Sequence, residues 1–142
     1  MKRIIAIALL TIAGFLTAGS ALAADRAVTA DVPFAFTVGE QALPAGTYLI
    51  YPAGWRPSGT IEIQSKDSHY ATLITVFAAD KVANGVGKLV FHRYGNQYFL
   101  AEVLCPAAAL TVDLPVSKQE KTARTTVVAG LQPTGEVLVA AK

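Results

Sequence analysis

The chain has 142 residues, 53% of them hydrophobic and 15% charged, with a formal net charge of +2. That length suits one domain with a real core. Charge this sparse, with no basic patch and no block of one sign, gives nucleic acid no footing, and a lone cysteine excludes an intramolecular disulfide.

The first residues read as an address rather than a fold. Lys2 and Arg3 precede an apolar run from Ile4 to Ala18, and Gly19, Ser20, Ala21, Leu22 and Ala23 close it. Ala21 and Ala23 fit the A-x-A end of a secretory signal. Residues 1–23 are therefore expected to be removed on export to the periplasm or medium, leaving 24–142 as a single β domain without a membrane span. The alternative is an uncleaved anchor, since positions 4–24 hold 21 uncharged residues. Without Lys2 and Arg3 the chain carries ten basic and ten acidic residues, so its formal charge is zero.

Residues 24–30 read as a loose lead-in. Val32, Phe34, Phe36 and Val38 then alternate with Pro33, Ala35 and Thr37, which predicts a strand over 31–38. Pro33 places it at an edge or a strand start. Leu43-Pro44-Ala45-Gly46 suits a type I turn, and Thr47 to Tyr51 reads as the next strand. A loop over 52–59 holds the only tryptophan, Trp55, either an aromatic surface platform or a lid over the core. Ile61 and Ile63 alternate with Glu62 and Gln64 as a half-exposed strand. After the polar turn Lys66-Asp67-Ser68, residues 70–78 form a long β-like run. In it Tyr70, Thr72, Ile74 and Val76 point one way, and Ala71, Leu73, Thr75 and Phe77 the other.

The strongest signal is GKLVFHRYGNQYFLAEVL, residues 87–104. Two apolar runs flank Gly95-Asn96, a two-residue turn of type II′ because glycine comes first. The turn sets Tyr94 against Gln97, Arg93 against Tyr98, His92 against Phe99 and Leu89 against Glu102. One face then carries Leu89, Phe91, Arg93, Tyr98, Leu100, Glu102 and Leu104. Both faces are largely apolar, as in a central pair covered on both sides or closed into a barrel.

Residues 111–114 suggest a short strand. Ser117-Lys118-Gln119-Glu120 fits a capping box and predicts a short helix over 118–123. Residues 125–129 and 136–140 look like two more strands. The expected fold class is thus all-β, a small antiparallel β-barrel or β-sandwich of seven to eight strands with at most one short helix.

Chemistry has few candidates. His69 and His92 sit in no ligand motif, and one cysteine with two histidines makes no structural zinc site without carboxylates. No phosphate loop, nucleophile elbow or dinucleotide fingerprint occurs. No catalytic, metal or cofactor residue is assigned, and the chain is read as non-enzymatic. Cys105 reads as a small buried residue at a strand end.

The segments VPFAFTVGEQALPAGTY (32–48), KLVFHRYGNQYFLAEV (88–103) and LPVSKQEK (114–121) resemble a family of small exported bacterial proteins with no established activity. The resemblance implies export and a compact β fold, and it brings no site residues with it. Two functions follow. One is a non-catalytic envelope or extracellular domain that meets an unknown protein or cell-surface partner. The other is a small-barrel carrier of an apolar small molecule, its cavity lined by Phe91, Tyr98 and Leu100 with Arg93 and Glu102.

Overall fold

Pro33 divides what alternation presents as one strand. In a computed structural model, which describes residues 27–53, 59–81, 83–130 and 133–142, β1 (Val28–Val32) stops at this proline and β2 (Phe36–Val38) starts beyond it. A proline has no N–H to give a ladder, and the chain changes partners there. β1 lies antiparallel to β4 (Gly46–Pro52), whereas β2 runs parallel to β8 (Gln97–Cys105) and antiparallel to β3 (Gln41–Leu43). The expected lead-in over 24–30 is in its described part mostly β1.

The remaining elements are β5 (Gly59–Ser65), β6 (Ala71–Ala78), β7 (Lys88–Tyr94), a 3-10 turn at Pro106–Ala108, β9 (Leu110–Asp113), one helix α1 (Lys118–Gly130) and β10 (Thr134–Ala140). The expected signal segment 1–23 and Trp55 lie outside the described residues. No helix among the described residues is long and apolar enough to cross a membrane.

The ten described strands form one mixed sheet in the order β1-β4-β5-β6-β9-β8-β2-β3, with β7 and then β10 branching from β8. This corrects the expectation of a barrel or sandwich with seven to eight antiparallel strands. The sheet is all-β in character with one helix, it contains a parallel pair, and it is not closed into a barrel. Two thin seams explain why. β6 holds β9 through only Phe77↔Asp113 and Ala78↔Val112. The outer strands β1 and β10 meet at a single bridge, Ala30↔Ala141. There Thr29 and Lys142 exchange backbone hydrogen bonds of 2.7 and 2.9 Å. A closed barrel needs a continuous ladder at that point.

Both arms of the sheet contribute to one core. Val28, Val32, Tyr48, Ile50, Ile61 and Ile63 come from one arm, and Leu89, Phe91, Leu100, Val103, Leu110 and Val112 from the other. Phe36 meets Tyr48 and Phe91 edge-on, with ring centroids 5.1 and 5.3 Å apart. Edge-on contact is a favoured aromatic arrangement.

The central hairpin forms as the turn dictates. Tyr94↔Gln97, Arg93↔Tyr98 and His92↔Phe99 are all in register. Gly95 has φ 62 while Asn96 is not at positive φ, which is the II′ combination. Farther from the turn the register shifts. Phe91 faces Leu100, but Val90 faces Glu102, so Ala101 is an extra residue on β8. A bulge turns every later side chain to the opposite face. Val103 and Cys105 thereby join Leu89 and Phe91 in the core, and Glu102 leaves it.

The largest local departure is the helix. It runs over 13 residues to Gly130 instead of ending near 123, and it absorbs the segment 125–129 expected as a strand. Glu120, Ala123 and Val127 are its buried residues, at helical spacing. Thr122, Thr125 and Thr126 hydrogen-bond the carbonyls of Lys118, Lys121 and Thr122 at 2.9–3.0 Å. These back-bonds satisfy hydroxyls whose residue type otherwise favours strand.

Candidate functional site

Two regions use side chains in ways the core does not require. The first lies where α1 crosses the outer face of the β7–β8 hairpin. Ser117 begins the helix, its Oγ accepting the Glu120 N–H at 3.1 Å. In a full capping box the Glu side chain would return to the cap N–H. Glu120 instead reaches inward, where its Oε1 lies 2.7 Å from His92 Nδ1 and accepts the Tyr94 hydroxyl at 3.3 Å. A second acidic residue takes over the helix start. Glu40, on the β2–β3 turn, accepts the Lys118 N–H at 3.0 Å, and its carbonyl accepts Gln119 Nε2 at 3.1 Å.

Glu120 is buried, with its side chain 5% exposed, and His92 is partly covered at 32%. The hydrogen bond to Glu120 holds His92 above its ordinary pKa, outweighing burial, and Glu136 and Glu102 act the same way. Burial raises the Tyr94 phenol, and the Glu120 charge adds to it. Beside this cluster an open cleft of about 780 Å³ runs between α1, the β2–β3 hairpin and the central turn, bordered by Thr37, Tyr94, Gln97, Tyr98, Gln119 and Thr126 among others.

The second region is the outer side of β6. Ser65 N–H donates to Tyr70 C=O at 2.8 Å. This fixes the parity of the β5–β6 ladder, in which Ile61 faces Ile74 and Ile63 faces Thr72. Residues 70, 72, 74 and 76 turn their backbone groups toward β5. Ala71, Leu73 and Thr75 turn theirs outward, where no strand among the described residues meets them. Leu73 and Phe77 are 64% and 58% exposed on the same strand, with Tyr70 at its start also exposed. A second cleft, of about 500 Å³, follows this edge between Thr72–Thr75 and residues 38–41 with Pro115.

The residues expected to line a cavity are dispersed. Phe91 and Leu100 are packed in the core. Tyr98 stacks on Phe34 at 4.1 Å, and Arg93 lies 5.9 Å over the Tyr98 ring while its Nε donates to Gly95 C=O at 2.9 Å. Of the five, only Tyr98 borders either cleft. The bulge at Ala101 sends Glu102 to the opposite face, where it forms an ion pair with Lys81 and stands across from Asp113. Asp113 Oδ1 is buried without a hydrogen-bond partner, and burial, then the Glu102 charge, raises its pKa.

Cys105 is buried, and burial pushes its thiol up. His69 is exposed. Among the described residues no group of three or more His, Cys, Asp or Glu is placed to hold a metal ion. Glu120, Tyr94 and Glu40 are the residues that sequence reasoning missed. The capping box pointed at Glu120, but nothing local announces that its carboxylate turns to His92. No family model, curated protein or solved structure matches the chain.

Proposed function

We propose that this chain is an exported, non-catalytic β domain that acts by contacting another protein or the cell surface, as its likeness to small exported bacterial proteins suggests. One observation carries the reading. Leu73 and Phe77 stand exposed in a row on β6, beside outward backbone groups of the same strand that no described strand uses. Edge strands of monomeric proteins are usually blunted by charge, proline or a bulge. The run Ala71–Ala78 has neither charge nor proline. Large exposed apolar residues beside open backbone groups favour association.

The test is cross-linking in the compartment where the protein resides, followed by intact mass analysis. Wild type is expected to give a discrete adduct that Leu73→Lys and Phe77→Lys both diminish. An unchanged adduct pattern in both variants, or no adduct, would overturn the reading.

A further inference from the structure

We propose that the open edge of β6 pairs with the same edge of a second copy, joining two sheets across a two-fold axis at Leu73. This rests on the interaction reading above and names its partner.

The register follows from the ladder. Of the residues that turn N–H and C=O outward, Phe77 pairs with β9, and Ala71, Leu73 and Thr75 meet no described strand, so in an antiparallel pair these three must face one another. One symmetric arrangement places all three opposite each other: Leu73 faces Leu73 of the second copy, and Ala71 faces Thr75 in both directions. Every outward group then finds a complement. A contact that uses the same patch on both copies closes as a two-fold dimer, and strand addition at a free edge is a standard recognition mode.

The side chains agree with this register. The exposed positions Ala71, Leu73 and Thr75 all lie on one face, so Leu73 covers its own counterpart and the small residues flank it. Charge agrees as well. The paired stretch is uncharged, and an uncharged edge desolvates least against another uncharged strand. The cleft of about 500 Å³ runs along Thr72–Thr75 at this edge.

The experiment introduces one cysteine at a time into the full chain, whose own Cys105 is buried. Facing Leu73 positions would bring their Cα atoms to about 5.5 Å, inside the range a disulfide spans. Thr75 positions would lie about 13 Å apart. Under mild oxidation Leu73→Cys is expected to give a covalent species of twice the chain mass, and Thr75→Cys is not. Thr75→Pro removes an outward N–H and leaves the β5 ladder intact, and it is expected to shift wild-type dimer to monomer in native mass spectrometry. Leu73→Lys should do the same if the proline variant fails to fold.

Equal cross-linking at 73 and 75, or a wild type that stays monomeric at every concentration, would overturn the pairing. An adduct of another mass in the cellular cross-linking would overturn the second copy while leaving the interaction reading standing. The absence of any adduct would overturn both.

Discussion

Glu120 Oε1 sits 2.7 Å from His92 Nδ1, and this contact ties the first turn of α1 to the outer face of the central hairpin. Tyr94 donates to the same oxygen, so one buried carboxylate gathers two side chains of β7. A buried carboxylate without partners is costly. Replacing His92 by Ala should therefore destabilise the fold by about 1–3 kcal/mol, measured by urea denaturation near pH 6. Glu120→Gln should cost less, because the amide oxygen still accepts from Tyr94.

The same pair gives a pH dependence. His92 has a raised folded pKa, so the folded protein holds its proton more tightly than the unfolded chain. The stabilisation is complete below about pH 6.5, the unfolded value, and is lost as pH rises through the raised folded value. The groups facing the ring are Glu120 from α1, Glu136 across the strand on β10, and Glu102 on β8, all favouring the cation. The stability difference between wild type and His92→Gln should shrink steadily from pH 6 upward. A difference independent of pH would contradict this assignment.

Asp113 has the opposite economy. Its raised pKa means that the charged carboxylate is disfavoured in the fold. Its stabilising contribution is present below about pH 4 and is lost as pH rises through the folded value. Asp113→Asn should raise the melting temperature at pH 7, and the two proteins should converge toward pH 3. Lys81 partly offsets the burden, so Lys81→Met should lower the melting temperature of wild type more than that of Asp113→Asn.

Gly87 meets Ala141 C=O and Cys105 Sγ so closely that an added Cβ would lie 2.9 Å from each. The Ala141 N–H also donates to the Gly87 carbonyl at 2.8 Å, fixing that approach. Gly87→Ala should cost about 1–3 kcal/mol, the range for overpacking. Adding Cys105→Ala should recover only part of the loss, because the backbone oxygen remains. Chemical denaturation of the single and double variants decides it.

The start of α1 has two supports that can be separated. Ser117→Ala removes the cap to Glu120 N–H and should cost about 1 kcal/mol. Glu40→Ala removes the acceptor for Lys118 N–H and loosens the helix from the β2–β3 turn. Hydrogen exchange should then quicken at Lys118 in the Glu40 variant and at Glu120 in the Ser117 variant.

The hairpin was legible because a two-residue turn fixes local register and alternation marks each strand. β6 was legible for the same reason: the alternation grouped Leu73, Thr75 and Phe77 on one side, and the structure exposes that side. The bulge at Ala101 was not, since nothing in LAEV distinguishes an extra residue from a regular one. That single residue moved Glu102 out of the expected cavity lining. The helix was half legible. Ser117 and Glu120 marked its start, but Thr125-Thr126-Val127-Val128 carries β propensity, and the stripe of Glu120, Ala123 and Val127 prevailed through burial. The switch of partner at Pro33 depends on contacts with β4 and β8, far away in sequence, which local patterning does not encode.

The bridge between Ala30 and Ala141 also orders events in time. The outward edge of β1 finds its backbone partners in Thr29–Lys142 and Ala30–Ala141, contacts between positions far apart in the sequence. Contacts between such distant positions form late and slowly. Until they do, β1 offers one more open edge besides that of β6 among the described residues, and a chain held in that state has one more place to join a neighbour.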